Sequence, residues 1–429
     1  MRRVRLITAF LLCVAALVST GLRAQYPKVK PLKPGSLAGV VVNAKGAPVA
    51  GAQILWQRAD GSTPHVLHSD AQGRFHIDPL RAGLYELRAS ADGAWSEWEH
   101  NVMVRPGSEA NVKLRLAFKA PPVAAAVELK GAMHTWDVPV SGAMPHDPAV
   151  DPNGDIWFTL MESGHVARFN PETHEWKLYK VPTTDSGPHG LVADAGGNIW
   201  FTENYAGKIG RLDVKSGAMT EYTPPSAKDP HTPVIGPDGA LWFTSQNSNL
   251  IGRLDLQTRK IVEYSVPTQN AHPYGIVSGD DGGLWFCELT GQKLGRVNPA
   301  TGAITEYTPP EPNVRPRRLV AARGAIYFTD SGGGRLGRLT LADKKFKMWP
   351  SPSGNNSQPY GIAMDSTGKI WYQESAAGAN KLVRFNPSVE VFAVFPMPAA
   401  DSSVRHIVRD ARGRLWMPLS IPNKIAVVE

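Results

Sequence analysis

A tryptophan recurs along the C-terminal two-thirds of this chain at nearly constant spacing. Trp157, Trp200, Trp242, Trp285, Trp371 and Trp416 stand in one local pattern, with Tyr327 in the fifth place, at steps of 43, 42, 43, 42, 44 and 45 residues. Self-similarity at that period means stacked or radial repeats, because one unit of this length cannot bury its apolar face alone. Each unit holds four short runs of alternating apolar and polar residues, separated by glycine-rich turns. Four strands per unit predict a β-propeller blade, and seven units predict a seven-bladed ring.

The two ends of the repeat array complete this reading. The last unit has an inner strand near Arg405 to Arg409, a second strand at Leu415 to Met417 and a third at Lys424 to Val428, and then the sequence ends. Ahead of the first unit, Thr135-Trp136-Asp137-Val138-Pro139 has the pattern of an outer strand with no blade of its own. The expectation is that this N-terminal strand closes the last blade and covers its open edge.

Composition sets the surroundings. Met1-Arg2-Arg3-Val4-Arg5 followed by an apolar run from Leu6 to Val18 reads as an export signal, with cleavage expected after Ala24. The formal net charge of +8 falls to +4 without residues 1–24, with 42 basic residues against 38 acidic ones. No basic run interleaves with aromatics, so nucleic acid is not an expected partner. Cleavage also removes Cys13 and leaves Cys287 alone, so no intrachain disulfide is expected. The reading is a periplasmic or secreted monomer with no later segment long and apolar enough to span a bilayer.

Residues 36–118 carry a different pattern. Short runs at Leu37–Val42, Ala52–Gln57, Gly73–Ile77, Leu84–Ala89, Asn101–Val104 and Asn111–Leu116 are punctuated by turns such as Asp60-Gly61 and Pro106-Gly107. This spacing predicts a small antiparallel β-sandwich. The order Gly39-x-Val41, Gly46-Ala47-Pro48-Val49-x-Gly51-Ala52, Asp70-x-x-Gly73-x-Phe75 and Leu80-x-x-Gly83-x-Tyr85 resembles the carboxypeptidase regulatory-like domain. That resemblance implies an accessory, sometimes carbohydrate-binding-like role. Trp56, Trp95 and Trp98 are either core residues or a ligand platform. Residues 119–133, with Pro121-Pro122 and an alanine run, read as a linker to the propeller at 134–429.

Within each blade the inner strand begins where the second strand ends, because the two are antiparallel. Entry positions are therefore His146, His189, His231, Tyr274, Arg317, Tyr360 and Arg405, and exit positions are Leu160, Glu203, Ser245, Glu288, Asp330, Glu374 and Leu419. Both sets are expected at one mouth of the central channel. Histidine beside carboxylate can move a proton or, with further acids, hold a divalent ion. The bland alternative is that these groups cap the channel and tie down loops. His65, His68 and His76 in the sandwich lack metal-ligand spacing, and Asp238-Gly239, Asp281-Gly282-Gly283 and Ser331-Gly332-Gly333-Gly334 are turns, since no helix follows to cradle phosphate.

The unit Pro-His-Gly, then Ile/Leu-Trp-Phe-Thr-Glu, then Ile-Gly-Arg-Leu, then Glu-Tyr resembles the virginiamycin B lyase (streptogramin B lyase) family across residues 134–429. The resemblance implies a Mg²⁺-dependent lyase that opens a cyclic depsipeptide at its ester by elimination, with a histidine as base. The family site joins a histidine of one blade to an acid-Pro-His and a trailing acid on the next. Here the motif is divided. Gly187-Pro188-His189 comes with Glu203 but no leading acid, and Asp229-Pro230-His231 comes with Ser245 in place of the trailing acid. At the last two repeats, where the family order places the site, stand Tyr360, Ser403, Arg405 and Leu419.

The resemblance thus implies His189 and His231 as candidate bases and Glu203 and Asp229 as candidate Mg²⁺ ligands. His146, Tyr274, Glu288, Arg317, Tyr360 and Glu374 are the candidate substrate-binding residues. Two functions follow: a lyase-type elimination on a cyclic, peptide-like substrate, or non-catalytic binding of a peptide or glycan at the funnel. A scaffold role in an envelope assembly is a third, weaker reading.

Overall fold

The computed structural model describes residues 33–58, 65–119, 123–376, 379–399 and 402–429. The export signal read at residues 1–24 lies outside the described residues, as does the Asp60-Gly61 turn. The described residues are all-β, with no helix long and apolar enough to cross a membrane.

Seven sheets form the ring that the repeat predicts. Their inner strands are Pro145–Val150, Pro188–Ala193, Pro230–Ile235, Pro273–Ser278, Pro316–Ala322, Pro359–Met364 and Val408–Arg409. In the first six blades the strands follow one another outward in sequence order. Each inner strand packs beside the next, and the seventh packs beside the first, so the ring closes. The closing strand is Met133–Asp137, antiparallel to Lys424–Val428, with Trp136 opposite Ile425.

One device recurs in the blades and explains the tryptophan period. The indole nitrogen of each tryptophan donates to an aspartate in the turn before its strand: Trp157 to Asp151, Trp200 to Asp194, Trp242 to Asp238, Trp285 to Asp281, Trp371 to Asp365 and Trp416 to Asp410, at 2.8–3.0 Å. Trp157, Trp200, Trp242, Trp285 and Trp416 are almost fully buried, and a buried indole N–H needs an acceptor. Blade five replaces this turn with Arg323-Gly324, which offers no aspartate, and there the tryptophan becomes Tyr327.

The sandwich differs from expectation in two respects. Strands Gly35–Asn43 and Glu109–Leu116 pair in parallel, so the domain is not wholly antiparallel. Short strands at His65–His68, Ala94–Trp95 and Phe118–Lys119 extend its second sheet; they are too brief to show an alternation. Its core gathers Leu37, Val41, Ile54, Phe75, Leu87 and Leu114. The segment read as linker is not a bare spacer either. Ala126–Glu128 adds a fifth strand to blade six, parallel to Val391–Pro396, where it covers that blade's outer edge.

Candidate functional site at the entry face

In the first six blades the register places the exit residue opposite the proline that precedes the entry residue, as where Glu203 faces Pro188, Ser245 faces Pro230 and Glu288 faces Pro273. Just inside, the first six inner strands each carry a bulge. A bulge leaves a backbone N–H without its ladder partner. The threonine of Trp-Phe-Thr repairs it and does a second job. Thr202 accepts from the Gly190 N–H at 2.9 Å and donates to the carbonyl of His231, in the next blade, at 2.7 Å. Thr159 reaches the carbonyl of His189 in the same way, Thr244 that of Tyr274 and Thr329 that of Tyr360. Blade six uses Gln373, whose amide donates to the Ser402 carbonyl at 2.8 Å. The backbones of His189, His231, Tyr274 and Tyr360 are therefore each held by the blade before.

The entry residues meet around the axis. The rings of His146 and His189 are 3.8 Å apart, those of His189 and His231 3.8 Å, and those of His231 and Tyr274 4.1 Å. The Tyr274 and Tyr360 hydroxyls share a short hydrogen bond, and the Arg317 guanidinium lies 3.8 Å over the Tyr360 ring. The Arg405 guanidinium lies 6.0 Å from the centre of the same Tyr360 ring. None of the seven is more than 3% exposed. The mouth is a packed plug rather than an open funnel.

A second layer lies directly beneath, one residue further along each inner strand, and the sequence reading missed it. Arg318 spans the channel and donates to both carboxylate oxygens of Asp147 at 2.8 and 2.9 Å, and to Thr232 Oγ1 at 3.2 Å. His146 Nδ1 is 3.0 Å and His406 Nδ1 3.4 Å from the same carboxylate. The signal was in the column Asp147, Gly190, Thr232, Gly275, Arg318, Gly361, His406, where polar side chains alternate with glycines too small to fill a channel.

Electrostatics follow from this burial. Desolvation pushes the His146 pKa down to about 4 against the pull of Asp147. His189 and His231 are both held well below the usual imidazole range, His189 by burial and then by its neighbours His146 and His231, and His231 by burial and then by Arg318. Burial alone would raise the Asp147 pKa, but Arg318 and the imidazole hydrogen bonds outweigh it and keep the carboxylate ionised. In Tyr360 the guanidiniums of Arg317, Arg405 and Arg318 outweigh burial and lower the phenol's pKa.

The exit acids are placed differently from expectation. Glu203 turns toward Lys208 and Glu221 on the outer strands of its own blade, and Glu288 toward Lys293 and Glu306. Burial, reinforced by the second glutamate, pushes each up to about 8. Asp229 caps the following loop through Ser245 Oγ at 2.7 Å and the Asn247 N–H at 2.7 Å. Glu374 binds Ser351 Oγ at 2.6 Å and the Ser353 N–H at 2.9 Å. Asp330 pairs with Arg335 at 2.7 Å. Among the described residues, no hydrogen bond or ion pair joins Glu203 or Asp229 to each other or to the histidines. The sequence carries a trace of this too. Exit acids come with a base at the start of the third strand, as in Glu203 with Lys208, Glu288 with Lys293 and Glu374 with Lys381, whereas Ser245 faces Leu250.

His146, Asp147 and His189 bring ligand atoms within 4.8 Å of one another, a spacing that could hold a metal ion. The donor set does not suit Mg²⁺, which asks for near-octahedral oxygen ligands. The group offers one carboxylate, already neutralised by Arg318, and two imidazoles, which suit later transition metals.

The sandwich lies on this same face. Glu86 pairs with Arg315, which directly precedes the inner strand of blade five, and both are fully buried. Arg88 donates to the Gly332 carbonyl in the exit loop of that blade and lies 4.2 Å over Trp95. Trp98 receives Arg315 at 4.7 Å, and Asn356 of blade six bonds Gln53 at 3.1 Å. Trp95 and Trp98 are buried by these contacts, and Trp56 stacks on His65 at 4.3 Å.

Residues 118–349 match the model of the virginiamycin B lyase family, and residues 36–117 match that of the carboxypeptidase regulatory-like domain. Among solved structures, virginiamycin B lyase from Staphylococcus aureus is 28% identical with a TM-score of 0.65, covering 70% of this chain and 99% of that one. A streptogramin B lyase structure is 27% identical with a TM-score of 0.65, covering 70% of this chain and 97% of that one. A catalytically inactive histidine-to-alanine variant of the Staphylococcus aureus enzyme, with quinupristin, is 27% identical with a TM-score of 0.64, covering 70% and 99%. A search of curated proteins found no match. A seven-bladed ring built on the Trp-Phe-Thr repeat, with the family match across more than half its length, identifies the chain as a member of the virginiamycin B lyase family, preceded by a carboxypeptidase regulatory-like domain.

Proposed function

We propose that this chain is an exported binding member of its family, whose entry face takes a polar peptide- or glycan-like ligand without Mg²⁺-assisted elimination. The closed entry ring carries the reading. His189 and His231 are at most 3% exposed, and the lone carboxylate among them is already paired with Arg318. Of the candidate metal ligands, Asp229 is taken up by the loop of its own blade, and Glu203, buried beside Glu221 with neither carboxylate oxygen hydrogen-bonded, is pushed up to about 8 and so is protonated rather than a ready anionic ligand at neutral pH. The part of this face formed by blades one to four remains for a ligand. It presents the exposed ring of Tyr205 and the amide of Asn270, and the Gln246 amide nitrogen, buried nearby, has no hydrogen-bond partner. Aromatic faces and side-chain amides suit peptide bonds and sugar hydroxyls.

The elimination reading keeps one specific support. His189 Nδ1 and His231 Nε2 are unpartnered and uncharged, as a base must be. One experiment separates the two. The mature protein is incubated with a B-type streptogramin, with Mg²⁺ and separately with chelator, and ring opening is followed by chromatographic retention and fragmentation, since elimination leaves mass unchanged. The expected result is no conversion, together with binding on a glycan and peptide array that Tyr205→Ala and Gln246→Ala abolish. Chelator-sensitive ring opening lost in His231→Ala would replace the binding reading with the lyase.

A further inference from the structure

The opposite end of the central channel is open, and neither the repeat nor the family match assigns it a role. Below the Arg318 layer the inner strands of all seven blades enclose a cavity of about 450 Å³, within the usual size range of small-molecule sites. Its walls are apolar, with Pro148, Leu191, Ile276, Leu319, Ile362 and Ile407 among them. Half-buried Val150, Val234, Val277, Val320, Met364 and Val408 surround the mouth. The cavity runs along three residues of each of the first six inner strands, about 7 Å between the first and third at 3.3 Å per residue, and along four residues of the seventh blade.

The floor is polar, and it presents one unfilled guanidinium N–H. Arg318 is 2% exposed, and its Nε has no hydrogen-bond partner although its terminal nitrogens hold Asp147 and Thr232. His406, 28% exposed, lines the same floor, and the exposed Arg409 stands at the rim. Among the described residues no carboxylate lines the cavity; Asp147 lies behind Arg318, in the layer above. Apolar walls retain a hydrocarbon, and an unfilled guanidinium N–H at the closed end selects an anionic head.

We infer that this channel is a second ligand site, for a small amphipathic monocarboxylate that enters from the face opposite the histidine ring, head first toward Arg318 and His406. The assignment is independent of what binds the entry face.

The test uses the full mature protein with sodium octanoate and 1-octanol as probes, read by calorimetry and by the shift in thermal midpoint. Octanoate should bind at one site, at least tenfold more tightly than octanol. Val234→Trp, which fills the mouth from a half-buried position, should remove octanoate binding. Arg409→Glu, exposed at the rim, should weaken it several-fold while leaving the unliganded midpoint unchanged. Equal binding of acid and alcohol would overturn the unfilled Arg318 N–H as a selector. Absence of octanoate binding at millimolar concentration, or binding that survives Val234→Trp, would overturn the site itself.

Discussion

At the scale of single residues, the molecule depends on side chains that serve two blades at once. Thr202 satisfies one bulge and one carbonyl of the next blade, so Thr202→Val leaves two buried backbone groups unpaired. Each such group costs about 1–3 kcal/mol, and a matching loss in urea unfolding is expected. The buried glutamates make a second residue-level prediction. Glu203 and Glu288 hold their protons up to about pH 8 in the folded state, whereas the unfolded chain releases them near pH 4.5. The folded state therefore binds more protons across that window, and their contribution to stability is full below about pH 4.5 and fades as pH rises toward 8. The histidine ring has the opposite dependence, since its depressed pKa values cost stability as pH falls below the unfolded value of about 6.5. Subtracting one protein from the other isolates the carboxylates. Glu203→Gln with Glu288→Gln should gain stability over the parent at pH 8, with the advantage shrinking toward pH 5 in denaturant midpoints. An advantage independent of pH would contradict the assignment.

At the scale of elements, the closure of the ring concentrates vulnerability in one strand. Met133–Asp137 is the only strand covering Lys424–Val428 on its outer side among the described residues. A protein beginning at residue 126 keeps this strand and the added Ala126–Glu128 strand of blade six. One beginning at residue 139 keeps neither and exposes two edges. The first is expected to unfold cooperatively as a monomer. The second should associate, which light scattering and the loss of a single unfolding transition would reveal. A cooperative monomer from residue 139 would show that strand closure contributes little.

For the molecule as a whole, the decisive feature is the seat of the sandwich. The Staphylococcus aureus lyase is matched over nearly all its length by 70% of this chain, so the remainder has no counterpart there. The sandwich ahead of the propeller supplies Glu86, which is buried on the entry face against Arg315 of blade five. Removing one partner of a buried pair costs about 3–5 kcal/mol, because the other charge stays behind uncompensated. Glu86→Ala should therefore undock the sandwich from blades five and six. The expected signs are faster hydrogen exchange around Arg315 and Gly332 and faster proteolysis between the domains, with the propeller's own unfolding midpoint retained. Unchanged exchange would mean that the tryptophan contacts suffice.

The sequence by itself determined the ring, its seven blades and its closure, because those follow from period and alternation, which are local properties repeated many times. It also located the entry column that meets at the axis. Only the tertiary structure decided how that column behaves. Whether His189 and Glu203 face each other depends on which side of a twisted blade each occupies, and a bulge between them breaks the simple alternation. The Arg318–Asp147 pair joins residues 171 positions apart across the channel, and Glu86 meets Arg315 across 229. No local pattern encodes pairs so distant, and it is these pairs that shut the histidine ring and leave the opposite mouth open.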